Sequence, residues 1–246
     1  QRQMCIRDRL KYILKNQDYM RRNVFISVLV LLILGGLNYA DQNAMAPNIV
    51  LIKKGLNITD SQVGLVGSIY LLSVAISMFI FGYLADIYSR KKLILIGALF
   101  WSIFAYLTSV ANSYHMLLLV RFFTGVGIGS FFPVAFAMVA DYFPPFDRGK
   151  IYAWMNIIPA LGAAGGVAVA AIYGSVYGWG FPFRIIAICG FISIVLFYFL
   201  LKEPKKGESE PELERVLKEG EVYDYRINWE AFKGIWKKRT NIYLIA

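Results

Sequence analysis

Two opposite charges stand where charges are expensive. Asp41 falls late in a long apolar run, inside the polar patch Asn38-Tyr39-Ala-Asp41-Gln-Asn43, and Arg121 falls several residues inside another such run. An ionised group taken out of water needs a partner or an aqueous cavity. At 1.5 Å per residue, Asp41 lies about five residues, or ~8 Å, from one end of its run. Arg121 lies about six residues, or ~9 Å, from the matching end of its own. The two runs cross in opposite directions, so both charges come to one level. The spacing predicts that Asp41 and Arg121 face one cavity and pair there or share a water. A carboxylate in that setting can exchange protons. The plainer alternatives are a helix end in outer water for Asp41 and a side chain snorkelling to the interface for Arg121. Tyr70, Phe132 and Asn156 are candidate wall residues, although for the aromatics helix packing is the commoner role. His115 is the single histidine, and Cys5 and Cys189 lack metal-ligand spacing. No metal, cofactor or enzymatic chemistry is expected.

A second constellation reads Gly82-Tyr-Leu-Ala-Asp86-Ile-Tyr-Ser-Arg90-Lys91-Lys92. Gly82 permits close helix packing, Asp86 can reach an interface, and Arg90 with Lys91 hold a loop in water. Further on, Ala140-Asp141-Tyr-Phe-Pro144-Pro145 breaks a helix and Asp147-Arg148-Gly-Lys150 opens the next. An ordinary solvated basic loop is the simpler reading of each. Arg121-Phe-Phe-Thr-Gly125-Val-Gly127-Ile-Gly129 predicts a flat stripe on one helix face. No strand precedes these glycines, which argues against a dinucleotide loop. Pro159 frees a backbone carbonyl, and Gly162, Gly165 and Gly166 read as a packing seam.

The elements that must position these groups follow from composition. Of 246 residues 58% are hydrophobic and only 17% charged, below the roughly 25% usual in soluble domains. The charges cluster between apolar runs long enough to cross a bilayer. The spans run from about 23 to 46, 62 to 84, 93 to 111, 115 to 139, 150 to 173 and 181 to 201, and a seventh starts near Asn241. No segment alternates as a membrane β-strand does. Residues 1–22 are read as a cytoplasmic tail, with 1–9 as non-native linker sequence, and 23–201 as a six-helix lobe. Residues 202–239 are read as a cytoplasmic linker and 240–246 as the start of the next helix. Within the linker Glu208-Ser-Glu-Pro-Glu-Leu-Glu214 suggests a flexible connector, whereas Trp229, Phe232, Ile235 and Trp236 are spaced for an amphipathic helix on the membrane face.

Lysine and arginine set the orientation. Seven precede Asn23, Arg90 to Lys92 follow span two, Arg148 and Lys150 follow span four, and ten lie from Lys202 to Arg239. Only Lys53, Lys54 and Arg184 fall on the other side. The N-terminus is therefore expected inside the cell, and the net charge of +10 reflects topology and anionic lipid rather than nucleic acid.

Gly82, Asp86, Arg90 and Lys91 resemble the loop signature of the major facilitator superfamily. Arg121 with Gly125 and Gly127 resembles that family's fourth-span motif. Asn38-Tyr39-Ala-Asp41, Trp101-Ser102 and Ala140-Asp141-Tyr-Phe143 extend the likeness toward spinster-like lipid transporters, with organic-anion symporters behind them. Ile87, Ser89, Gln42 and Ile128 depart from the family pattern; the spinster branch has a glutamate where Ile128 stands. The resemblance implies an all-α membrane protein of six helices in two inverted three-helix repeats. It also implies an inner gate built from Gly82, Asp86, Arg90, Lys91, Asp141 and Arg148, with Gly125, Gly129, Pro159 and Gly162 as packing positions. The expected function is secondary active transport of a small organic solute across the plasma membrane, coupled to a proton or another ion. A second six-helix lobe is the expected partner. A spinster-type lipid transporter and a non-transporting receptor or scaffold are the alternatives.

Overall fold

The computed structural model describes residues 6–204, 206, 207 and 209, with backbone only for residues 6–23. The expected amphipathic helix near Trp229 and the start of a seventh span lie outside the described residues. Helices account for the regular structure: α1 (Ile6–Asn43), a 3-10 turn (Ala46–Asn48), α2 (Ile49–Leu56), α3 (Asp60–Ile87), α4 (Arg90–Thr108), α5 (Tyr114–Gly129), α6 (Phe131–Tyr142), α7 (Pro145–Tyr177) and α8 (Phe181–Leu200). Among the described residues, six stretches are long and apolar enough to cross a membrane: Val24–Leu56, Asp60–Ile87, Arg90–Thr108, Tyr114–Tyr142, Pro145–Tyr177 and Phe181–Leu200. We number these spans one to six.

Local chemistry fixes where they begin and bend. Thr59 and Gln62 form a reciprocal capping box at the start of α3, and Ser89 and Ser113 cap α4 and α5. Three details differ from the sequence expectation. No proline or glycine interrupts residues 6–23, so α1 extends back to Ile6 through the predicted tail. Lys53 and Lys54, expected in a loop, close the short helix α2, where cations suit the C-terminal dipole. Span four is divided at Ser130, whose hydroxyl donates to the Gly127 carbonyl at 2.6 Å. Pro133, in the first turn of α6, has no N–H to continue the ladder there.

The packing pattern shows the repeat. Span one packs on span five as span two packs on span four; span three packs on four as span six packs on one; spans three and six pack on each other. Exchanging spans one, two and three for four, five and six leaves this pattern unchanged. Counterparts three spans apart run in opposite directions, so the repeats are inverted. Solvent polarity is inverted as well. Phe79 is 82% and Phe199 76% exposed, while Asp41 is fully buried. Such an exterior suits hydrocarbon, not water.

Glycines let the spans touch. A Cβ on Gly162 would stand 2.6 Å from Gly36 Cα, and one on Gly166 2.6 Å from Ala40 Cα, so spans one and five meet backbone to backbone. In span four the predicted single stripe is split between two faces. Gly125 and Gly129 abut span two at Tyr70 and Ser77, whereas Gly127 abuts Trp101 of span three. Pro159 is buried, and Gly165 faces open space. Gly162→Leu is therefore expected to cost about 1–3 kcal/mol by overpacking. Gly165→Leu should be neutral; thermal unfolding of the two variants in detergent checks the contrast.

Candidate functional site

Asp41 and Arg121 form an ion pair, Nη1 to Oδ2 at 3.0 Å, with side chains 0% and 2% exposed. This rules out both an Asp41 in outer water and a snorkelling Arg121. The guanidinium lies 4.5 Å from the Tyr70 ring centroid and 5.5 Å from that of Phe183. Four spans thus contribute: one (Asp41), two (Tyr70), four (Arg121) and six (Phe183). A core cluster including Ala40, Tyr70, Trp101, Ile128 and Phe183 encloses the pair, and two cation–π contacts offset part of the desolvation of the cation.

The pair is incompletely satisfied. Among the described residues, Asn38 Oδ1, Asp41 Oδ1, Tyr70 Oη, Trp101 Nε1, Ser102 Oγ and Arg121 Nε are buried without a hydrogen-bond partner. Buried polar atoms are normally paired, so unpaired atoms on both members of a buried ion pair call for an explanation. Trp101, Ser102 and Phe183 were not among the predicted cavity residues. Trp101-Ser102 carries a sequence signal, a bulky donor beside a hydroxyl within an apolar span. Phe183 carries none.

The predicted cavity residues divide. Asn38, Asp41, Tyr70 and Arg121 are buried together at this centre. Tyr39 and Phe132 form a half-buried edge-to-face pair with centroids 5.4 Å apart. Asn43 donates to the Tyr39 carbonyl at 2.8 Å, at the end of α1. Asn156, in span five, is exposed and donates to the Tyr152 carbonyl at 2.7 Å.

At the end of the bundle where α4 begins, a second charge group links helix termini. Arg90 pairs with Asp141 and donates to the Ala137 carbonyl at 2.8 Å. Asp86 and Glu203 also act on it electrostatically. Lys91 Nζ donates to the carbonyls of Tyr198 (2.8 Å) and Leu201 (2.6 Å), closing the end of α8. Arg148 donates to the carbonyls of Phe143 (2.8 Å) and Ala140 (2.7 Å), closing α6. Gly82 approaches Pro133 at ordinary contact distance, 3.7 Å from a built Cβ. The chain leaving span six straps this group together. Glu203 accepts from Ser89 Oγ at 2.6 Å and from Lys91 N at 3.3 Å. Lys206 Nζ donates to the Asp86 carbonyl at 2.7 Å, and Gly207 N to Asp141 Oδ1 at 3.0 Å. By composition these strap residues belong to a solvated linker, and no motif marks them for a role.

A sequence profile of the Major Facilitator Superfamily matches residues 31–246. The chain belongs to this superfamily. Protein spinster homolog 1 of Xenopus laevis is 33% identical over 200 residues, covering 80% of this chain and 38% of the relative. The hexuronate transporter of Bacillus subtilis (strain 168) is 28% identical over 176 residues, covering 72% of this chain and 42% of the relative. A crystal structure of a bacterial homolog of the human lysosomal transporter Spinster, inward-facing and unoccupied, superposes with a TM-score of 0.73 at 21% identity. That match covers 89% of this chain and 50% of the solved one. The chain thus spans about two fifths of the length of the curated relatives it matches, in keeping with one six-helix lobe of a superfamily fold.

Proposed function

We propose that this chain is the N-terminal lobe of a secondary active transporter, not an enzyme, that moves a small organic solute by alternating access. The observation that carries this reading is the Asp41–Arg121 pair, fully enclosed, with Asp41 Oδ1 and Arg121 Nε lacking hydrogen-bond partners among the described residues. A structural ion pair gains little from such a place, because desolvation offsets most of its attraction. A coupling centre needs it, since protonating Asp41 removes the charge that holds Arg121. In this reading the second lobe is six further helices, and the lobes rock about a shared midplane site. Tyr39 and Phe132 would line its wall. The Arg90–Asp141 group and the strap would form the inner gate, and a surplus of lysine and arginine at that end would hold it on the cytoplasmic side of the plasma membrane.

An organic acid is the favoured solute class, supported by the likeness to the hexuronate transporter. A spinster-type lipid cargo is the second reading, supported by the Xenopus relative. The test is counterflow of labelled glucuronate and of lysophosphatidylcholine in liposomes containing the full-length protein. Transport should depend on pH in the wild type and lose that dependence in Asp41→Asn. Unchanged pH dependence overturns the coupling role, and absence of flux with either probe overturns the transporter reading in favour of a receptor or scaffold.

A further inference from the structure

Arg121 occupies one oxygen of Asp41, Oδ2, and leaves the other without a hydrogen bond. Trp101, on span three, is fully buried, and its indole N–H is likewise without a partner. The two groups are complementary: an ionised carboxylate can only accept and an indole N–H can only donate. Trp101 shares one buried cluster with Ala40, the neighbour of Asp41 in the chain, and with Tyr70 and Phe183, the rings against Arg121, and it acts on the carboxylate as a hydrogen-bonding side chain.

The ring also has little freedom to withdraw. A Cβ on Gly127 would stand 2.7 Å from Trp101 Cα, and one on Gly190 would stand 2.9 Å from Trp101 Cζ3 and 3.1 Å from Cη2. Span four therefore closes on the backbone of Trp101 and span six on the far edge of its ring. Glycine at both places lets the two spans approach Trp101 this closely. A residue serving only as apolar filler would not need an N–H, and a buried N–H without a partner costs about 1–3 kcal/mol.

We propose that Trp101 is a positioning residue for the Asp41–Arg121 pair, its indole N–H holding the carboxylate oxygen that Arg121 leaves free. The other charged and titratable groups around Asp41 are Arg121 from span four, Tyr70 from span two beneath the guanidinium, and Tyr39 of span one itself. Span six contributes Phe183, and span five approaches Ala40 with Gly166; neither residue titrates. Trp101 is thus a neutral donor that can hold the free carboxylate oxygen without adding a charge to the centre. The link from this contact to solute movement rests on the transporter reading; the contact itself does not.

The test uses the full-length protein and reads Asp41 directly. The carboxylic acid band of Asp41 in infrared difference spectra, assigned by its loss in Asp41→Asn, is titrated in wild type and in Trp101→Phe, which keeps an aromatic ring and removes the N–H. The half-point is expected to move by about one pH unit or more, because a hydrogen bond to a charged group is worth that much. Superposable titrations overturn the proposal, even if transport falls. A second readout needs neither the Phe variant nor a titration within reach. With every tryptophan of the full-length protein other than Trp101 replaced by phenylalanine, the ultraviolet Raman signature of the Trp101 N–H should report a strong hydrogen bond that weakens in Asp41→Asn. An identical signature in both overturns the proposal. A moved titration without solute flux leaves Trp101 in its role and removes the transporter reading; proton-coupled flux with an unmoved titration does the reverse.

Discussion

Arg121→Ala is expected to destabilise the lobe by roughly 3–5 kcal/mol, the usual cost of leaving one partner of a buried ion pair alone. The substitution strands the Asp41 carboxylate where no water reaches it and removes the cation seated over Tyr70 and Phe183. Asp41→Asn should cost less, because Arg121 keeps both aromatic faces and the amide oxygen can still accept from it. The double variant Asp41→Leu/Arg121→Leu should recover much of the stability lost in Arg121→Ala, since buried pairs are often replaceable by apolar side chains at little cost. It should recover no coupled transport. Thermal unfolding of the full-length protein by fluorescence-detected gel filtration gives the order: Arg121→Ala lowest, Asp41→Asn intermediate, wild type highest, and the double variant well above Arg121→Ala. A double variant no more stable than Arg121→Ala would mean that the pair is structural and its polar chemistry indispensable to folding.

The level-matching of Asp41 and Arg121 was legible in the sequence because a helix converts residue count into depth without ambiguity. Six long apolar runs, spaced by charge, give the architecture for the same reason. Depth is legible; azimuth is not. A membrane helix is apolar on all sides, so nothing in its periodicity says which face meets which neighbour. That is why Phe183 passes as an ordinary packing residue although its ring lies 5.5 Å from the Arg121 guanidinium. The glycines of span four fail in the same way: a two-residue step turns the helix by about 200°, so Gly127 leaves the face shared by Gly125 and Gly129. The strap was missed for a different reason. Glu203 and Lys206 stand in a charged, proline-containing stretch whose composition reads as solvated linker, and only the fold returns it to the α4 terminus.

The charge group at that terminus contains a conflict that turns into a prediction. Glu203 at the start of α4, Lys91 at the end of α8 and Arg148 at the end of α6 each suit the dipole of the helix they touch. Arg90 and Asp141 do not. Arg90 is the first residue of α4, where a cation is disfavoured, and Asp141 is in the last turn of α6, where an anion is disfavoured. Each misplaced charge is offset chiefly by the other beside it. Separating the ends exposes both mismatches together, so the pair ties the lobe to the arrangement in which α4 and α6 meet. Asp141→Asn should therefore loosen the basic end, costing roughly 1–3 kcal/mol as Arg90 loses its partner. The exchanged variant Arg90→Asp/Asp141→Arg should more than restore the loss. It rebuilds the pair with each charge at the helix end that favours it, a gain of roughly 0.3–1 kcal/mol per terminus. Transport should respond in the opposite sense. If the pair breaks in every cycle, the exchanged protein is expected to unfold at a higher temperature than wild type and to turn over more slowly. An exchanged variant no more stable than Asp141→Asn would show that Asp86 and Glu203, rather than the dipoles, decide what Arg90 accepts. Full turnover in the exchanged protein would show that this contact does not open during transport.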